Sequence, residues 1–100
     1  FNLEHVLPQN PGADWKQFSE EEIESMVFRL GNMTLLQSSA NRDQGNDNYT
    51  TKRPVYANSG FVVTRKLAEE NAEWNPERIA ARQSWMAKQA IAIWQISRLS

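Results

Sequence analysis

The chain has 100 residues, no cysteine, one histidine and a formal net charge of −1. This length allows one domain, and 40% hydrophobic residues are enough to build its core. The lack of cysteine excludes disulfides, thiolate catalysis and cysteine-based zinc sites, and a single histidine excludes a histidine-rich metal cage. With a mean hydropathy of −0.67 and no long uncharged apolar run, the sequence predicts neither a membrane span nor a secretory signal.

Charge is distributed unevenly along the chain. Residues 1–24 carry one basic and six acidic residues, residues 25–66 carry six basic and two acidic ones, and residues 67–100 carry four of each. The three segments therefore have net charges of −5, +4 and 0. A basic middle segment in an acidic chain is a mild indication of an anionic partner, although ordinary solvated charge explains it equally well.

The chain opens on a predicted strand. Residues 1–7 alternate as a strand that Pro8 ends. The two predicted faces carry Leu3, His5 and Leu7 on one side, and Glu4 and Val6 on the other. Because the chain enters this strand at once, we expect residues 1–100 to be a single domain excised from a longer protein.

A helix and a second strand should follow. A capping box of Ser19 and Glu22 predicts the start of the helix, and Gly31 is placed to end it as a left-handed residue. Helical spacing predicts its buried face to be Ile23, Met26, Val27 and Leu30. Residues 32–36 are typical of a short strand, whereas the polar residues 38–48 fit either a loop or a short helix.

The second half of the chain is predicted to be helical after an irregular segment at 54–60. A helix over 61–71 should have Thr64 as its cap, with Leu67 and Ala68 facing inward. The last helix should begin at the N-cap Asn75 and run to about the C-terminus. Its predicted apolar face is Ile79, Met86, Ala90, Ile93 and Trp94. All four tryptophans are predicted to pack in the core or between helices rather than to stack on bases: Trp15, Trp74, Trp85 and Trp94.

A small set of polar residues is suited to one kind of chemistry. Glu4 and His5 are adjacent, and Asn32 and Asn41 flank the second predicted strand. A neutral imidazole accepts a proton from water, while a carboxylate and an amide oxygen together bind a hard divalent ion. Such an ion polarises a phosphoryl group, and nearby basic residues hold the remaining phosphate charge. The set therefore suits metal-assisted phosphodiester hydrolysis.

The order of these motifs identifies a family resemblance. The motifs are residues 2–9 (Asn-Leu-Glu-His-Val-Leu-Pro-Gln), residues 29–36 (Arg-Leu-Gly-Asn-Met-Thr-Leu-Leu), and then Asn41 and Lys52. In this order they resemble the C-terminal nuclease domain of GmrSD-type restriction proteins, which belongs to the HNH, or ββα-metal, nucleases. Further residues that resemble the closing helix of that family are Trp74, Asn75, Pro76, Ile79, Arg82 and Trp94.

The resemblance implies a role for each motif residue. His5 would be the general base that activates water, with Glu4 beside it as a metal ligand. Asn32 would hold the loop that orients the base. Asn41 would supply an oxygen ligand, which favours Mg²⁺ or Mn²⁺ over zinc.

The sequence departs from the family pattern in two places. The gap between His5 and Asn32 is longer than in a compact HNH hairpin, so we expect residues 14–30 to form an inserted helix. The lysine that usually follows the last motif residue is missing near Asn41. We therefore expect the phosphate to be bound by other basic residues, namely Arg42, Lys52 and Arg53.

The predicted fold is α+β, with a small β-hairpin and helix as the ββα-metal core, the inserted helix and a C-terminal helical extension. The resemblance implies a metal-dependent endonuclease of the bacterial cytoplasm that cleaves double-stranded DNA, modified or not. It also implies a partner, the N-terminal nucleotide-using sensor domain of the same protein or complex, within an antiviral restriction system. No membrane partner is expected.

Alternatives remain for the residues and for the function. Each motif residue also has a non-catalytic interpretation. Glu4 fits an exposed strand position, and His5 fits a structural or surface-exposed one. Asn32 fits a turn, Asn41 fits a cap or loop, and Lys52 and Arg53 fit ordinary surface. The same fold could bind nucleic acid without cutting it. A third interpretation is a helical interaction domain carried by residues 75–98.

Overall fold

The computed structural model describes residues 1–38 and 47–99, which form a two-stranded antiparallel sheet and four α-helices. The strands are β1 (Asn2–His5) and β2 (Met33–Leu36), and the helices are α1 (Glu20–Met26), α2 (Tyr49–Ala57), α3 (Val62–Glu70) and α4 (Pro76–Leu99). This arrangement confirms the predicted α+β class. In the described ranges, no helix combines the length and apolar character needed to cross a membrane.

The hairpin confirms most of the predicted alternation of β1. His5 pairs with Met33 of β2, and Glu4 is buried while His5 lies on the opposite, partly exposed face. The strand ends at His5 rather than at the proline. Because the alternation stops there, Val6 and Leu7 are both fully buried instead of pointing to opposite sides.

Helix α1 lies between the two strands in the sequence, as predicted, but it covers only Glu20–Met26 of the residues 14–30 expected to be helical. Its capping box is present: the Glu22 amide donates to Ser19 Oγ at 3.1 Å, and the Ser19 amide donates to Glu22 Oε1 at 2.9 Å. Ile23 and Met26 pack half-buried against the core. The prediction of a buried Leu30 is wrong, because α1 ends four residues earlier and this side chain is exposed.

The prediction that Gly31 ends α1 in a left-handed conformation is also wrong. Gly31 is buried in a short 3₁₀ helix, Leu30–Asn32, that packs against α4. A Cβ atom at Gly31 would collide with the carbonyl oxygen of Ile79 and would lie 2.8 Å from the amide nitrogen of Gln83. Glycine is therefore required here by the close approach of two backbones.

Helix α2 contradicts the irregular segment predicted at 54–60. The helix begins after the N-cap Asn48 and continues through Pro54. Proline removes one helical hydrogen bond, but tertiary packing overrides this local preference because one face of the helix is buried. The buried side chains on that face are Tyr49, Lys52 and Tyr56.

Helix α3 is joined to the sheet by hydroxyl groups. Thr64 was expected to cap the helix, which is wrong, because the N-cap is Phe61 and Thr64 is fully buried within the helix. The Thr64 hydroxyl donates to the Leu35 carbonyl at 2.5 Å and lies 2.7 Å from the Thr34 hydroxyl. The two residues predicted to point inward are buried, Leu67 and Ala68.

Helix α4 begins as predicted, since Asn75 Oδ1 accepts a hydrogen bond from the Arg78 amide at 3.0 Å. Its 24 residues span about 36 Å. Only the first turns pack on the core, so the predicted apolar face is buried at Ile79 and half-buried at Met86. Beyond these turns the prediction is wrong, because the side chains of Ala90, Ile93 and Trp94 are exposed.

The prediction that the tryptophans pack in the core or between helices is confirmed for Trp15 and Trp74, wrong for Trp94, and only partly right for Trp85, which lies between α3 and α4 without being buried. Trp15 and Trp74 are 2% and 1% exposed in the core, whereas Trp85 and Trp94 are 42% and 58% exposed on α4. The core lies between the hairpin, α2, α3 and the start of α4. Its buried members are Val6, Leu7, Trp15, Phe18, Leu36, Tyr49, Tyr56, Leu67, Ala68, Trp74 and Ile79.

Candidate active site

His5 lies at the end of β1, partly exposed and in contact with one aromatic ring. The Phe28 ring meets the imidazole edge-on, with 5.7 Å between the ring centroids. Within residues 1–38 and 47–99, His5 Nε2 is buried and has no hydrogen-bond partner. Burial lowers the pKa of His5, Glu4 raises it and Lys52 lowers it, so that the net shift is downward. The imidazole is therefore neutral at pH 7 and able to accept a proton.

Asn32 fixes the backbone that follows His5. Its Oδ1 accepts from the Leu7 amide at 2.8 Å and from the Trp74 indole at 3.0 Å. Its Nδ2 donates to the Leu7 carbonyl at 2.9 Å and to the Val27 carbonyl at 3.0 Å. The side chain, which is fully buried, thus uses both donor hydrogens and accepts two hydrogen bonds. It holds the loop in the way that the predicted role requires, and its importance for catalysis stays a prediction.

A second buried side chain, Lys52, holds the main chain of His5 itself. The Lys52 ammonium donates to the His5 carbonyl at 3.1 Å and to the Val6 carbonyl at 3.0 Å, and it lies 3.2 Å from Glu4 Oε2. The Tyr56 hydroxyl donates to the same carboxylate oxygen at 2.7 Å. Burial lowers the pKa of Lys52, and the neighbouring Glu4 opposes this shift. Burial and Glu4 both raise the pKa of Tyr56 well above its usual value.

This cluster separates Glu4 from His5, the two neighbours that the sequence analysis placed in one site. Their side chains lie on opposite faces of β1, and Glu4 Oε2 is already engaged by Lys52 and Tyr56. Among the described residues, no group of three or more histidine, aspartate or glutamate side chains is arranged to hold a metal ion. The described residues by themselves therefore do not provide a set of ligands for a divalent ion. The metal role of Glu4 stays a prediction, because Lys52 and Tyr56 already engage one of its two carboxylate oxygens.

The predicted phosphate-binding residues have different surroundings. Lys52 is fully buried, so the alternative of ordinary surface is wrong for it, and a direct phosphate contact would require the cluster to open. Arg53 is half-buried, and its Nε donates to the Ala68 carbonyl at 2.9 Å. Asn41 and Arg42 lie outside the described residues. The alternative of an exposed strand position is wrong for Glu4, which is 5% exposed.

Arg82 supports the site from α4. Its Nη1 donates to three main-chain carbonyls of the segment that leads into β2, those of Leu30, Gly31 and Met33 at 3.4, 3.1 and 2.5 Å. Because Met33 pairs with His5, the Arg82 guanidinium stabilises β2, the strand that lies opposite His5 in the hairpin. Burial lowers the pKa of Arg82.

Sequence reasoning did not identify Tyr56 as a buried residue of the site, and it did not identify the hydrogen bond that the Trp74 indole donates. Tyr56 is four positions after Lys52, a spacing that places both on one helical face. That signal was available, but Pro54 favoured an irregular segment and concealed it. Trp74 gave no local signal, because its partner Asn32 is 42 positions earlier in the chain.

Comparison with known families identifies one that covers most of the chain. The model of the family described as GmrSD restriction endonucleases, C-terminal domain, matches residues 1–89. The chain belongs to this family. No curated protein and no solved structure matches it. Membership in this family supports the assignment of the chain as the nuclease module of a restriction system, and therefore as an enzyme.

Proposed function

We propose that the domain is a DNA endonuclease in which His5 is the general base for phosphodiester hydrolysis. One observation carries the proposal: the backbone of residues 5–7 is held by two buried side chains, Asn32 and Lys52. These contacts hold the main chain that carries the imidazole, the Phe28 ring packs against the imidazole edge-on, and the lowered pKa favours its neutral form at pH 7. A fixed, neutral imidazole is what proton abstraction from a water molecule requires.

The residues divide the work as follows. His5 accepts the proton of the attacking water. Asn32 orients the loop on one side of His5, and Lys52 binds the His5 carbonyl, while burial lowers the pKa of the imidazole. Arg82 holds the partner strand. None of these contacts depends on the segment outside the described residues.

We further propose the HNH, or ββα-metal, subtype and a requirement for Mg²⁺ or Mn²⁺. The support is the family resemblance together with the amide Asn41, whose oxygen suits such ions. Glu4, whose Oε2 is engaged by Lys52 and Tyr56, would be a further ligand. The same resemblance supports double-stranded and modified DNA as the substrate, an N-terminal nucleotide-using sensor domain as the partner, and antiviral restriction in the bacterial cytoplasm as the setting.

The test is the cleavage of supercoiled plasmid at low salt with Mg²⁺ or Mn²⁺. The wild-type domain is compared with His5→Ala and with the control Leu3→Ala, since Leu3 lies on the same face of β1 and is exposed. We expect metal-dependent nicking that Leu3→Ala retains and that His5→Ala reduces by about 10²–10⁴-fold. Circular dichroism of both variants confirms that they are folded.

Other outcomes would change the proposal. Equal cutting by wild type and His5→Ala would show that the base is misassigned. Metal-independent DNA binding without any cutting, also in the presence of the sensor domain, would favour the non-catalytic binding module. A dimer formed through residues 75–98 with no DNA affinity would favour the helical interaction domain.

A further inference from the structure

A groove with a cavity volume of about 240 Å³ runs between α3 and α4, away from the candidate active site. Its wall includes Val63 and Leu67 from α3 and the indole of Trp85 from α4. This volume is below the roughly 300–1,000 Å³ of sites for drug-sized ligands. The groove is therefore large enough for one planar ring system rather than for a large cofactor.

The rim of this α3–α4 groove is positively charged. Lys66, Arg78 and Arg82 line it with a single carboxylate, Glu70, which gives a net charge of +2. The Lys66–Glu70 pair is separated by 3.7 Å and both side chains are about half exposed, so the pair is weak and readily exchanged. Arg78 is exposed, and an anion can reach it from solvent. The rim favours an anionic ligand.

Trp85 gives the groove a partly exposed aromatic surface. The side chain is 42% exposed, unlike the core residues Trp15 and Trp74. The Lys66 ammonium lies 5.3 Å from the centre of the Trp85 ring and covers this ring face, but the Lys66 side chain is itself about half exposed and free to move aside. A planar base can occupy the same face while Lys66 turns to a phosphate.

We propose that the α3–α4 groove binds a nucleotide, with its base against Trp85 and its phosphate between Lys66 and Arg78. The aromatic wall and apolar floor of this small groove suit the base, and its cationic rim suits the phosphate. The nucleotide is either free in solution or part of a single strand. The groove shares no side chain with the proposed base or its loop contacts apart from Arg82, so nucleotide binding does not rest on cleavage.

The test uses tryptophan fluorescence of a Trp94→Phe protein, in which Trp85 is the one tryptophan of the described residues that remains exposed. The probes are dAMP, deoxyadenosine, inorganic phosphate, a single-stranded oligonucleotide and the same sequence as a duplex. We expect quenching by dAMP or by the single strand, affinity for deoxyadenosine about tenfold weaker, and no quenching by phosphate alone. Saturation by dAMP indicates a free nucleotide, and binding of the single strand alone indicates nucleic acid.

Variants locate the ligand in the groove. Arg78→Ala, followed by fluorescence, and Trp85→Ala, followed by calorimetry, should each weaken binding by about tenfold. Arg98→Ala removes the same charge from the far end of α4 and should leave the affinity unchanged. His5→Ala should bind normally, which separates this inference from the proposed function. Absence of binding by every probe, or binding that neither Arg78→Ala nor Trp85→Ala weakens, would overturn the nucleotide site.

Discussion

The indole of Trp74 donates a hydrogen bond to the side-chain oxygen of Asn32, at 3.0 Å and across 42 positions of sequence. The same oxygen accepts from the Leu7 amide. The segment before α4, the segment before β2 and the loop after His5 thus meet at one buried amide. Trp74 is itself held by stacking on Tyr49 of α2, with ring centroids 5.7 Å apart. The position of the candidate base therefore depends on elements from the whole described chain.

Asn32→Ala should strongly destabilise the domain. The substitution leaves the buried Leu7 amide and Trp74 indole without their acceptor, and we expect the free energy of unfolding to fall by roughly 2–4 kcal/mol. Urea denaturation measures this change. The control is Asn58→Ala, whose side chain makes one exposed hydrogen bond and whose loss should cost less than about 0.5 kcal/mol. Equal effects of the two variants would contradict the role assigned to Asn32.

Lys52→Met should be more harmful alone than in combination with Glu4→Gln. Removing only the ammonium leaves a buried carboxylate without its cation, which should cost roughly 3–5 kcal/mol of unfolding free energy. The double variant removes both charges and should recover part of this loss. A double-mutant cycle by chemical denaturation gives the coupling energy. Additive effects would mean that the pair contributes no net coupling.

Gly31→Ala should lower the stability of the domain because its Cβ has no space against the backbone of α4. Relief of the contacts with Ile79 and Gln83 requires the 3₁₀ helix to move, at a cost of roughly 1–3 kcal/mol. Gly12→Ala is the matched control, since nothing lies within 4 Å of a Cβ there. Thermal denaturation of both variants distinguishes close packing from a general effect of replacing glycine.

The cleavage rate should depend on pH in the acidic range and become independent of pH before neutrality is reached. Burial lowers the pKa of His5 from 6.5, so kcat/KM should rise with pH on an acidic limb below 6.5 and be level at pH 7. Because the unfolded chain binds a proton at higher pH than the folded one, stability should also fall as the pH drops below 6.5. This is the only histidine, so its NMR titration measures the pKa without ambiguity. A value above 6.5 would contradict the prediction.

Local sequence signals predicted the start of two helices and the pairing strands. Ser19 with Glu22 and Asn75 with Pro76 are capping patterns whose hydrogen bonds involve neighbours three positions apart, and both are formed. The alternation around Glu4 likewise placed one side chain inside and the next outside. These features depend on contacts within a few residues, which is why a single sequence contains them.

Such local signals predicted only part of the candidate site. The motif order pointed to His5 and Asn32, yet Lys52 was predicted to bind phosphate, with ordinary surface as the alternative. The structure places it in the core, bound to Glu4 and to the carbonyl of His5. A buried charge is stable only with partners, and its partners here are 46 to 48 positions away by sequence number.

The sequence by itself determined the family, the α+β class, the N-caps of α1 and α4 and the candidate catalytic residue types, since these depend on residue type and short spacing. The tertiary structure alone decided that Glu4 and His5 face apart, that Gly31 is a site of backbone contact, and that Trp85 remains at the surface. Each of these outcomes depends on which distant segment packs against the residue. Burial of a side chain and close approach of two backbones arise only when distant segments pack together, so local sequence patterns do not predict them.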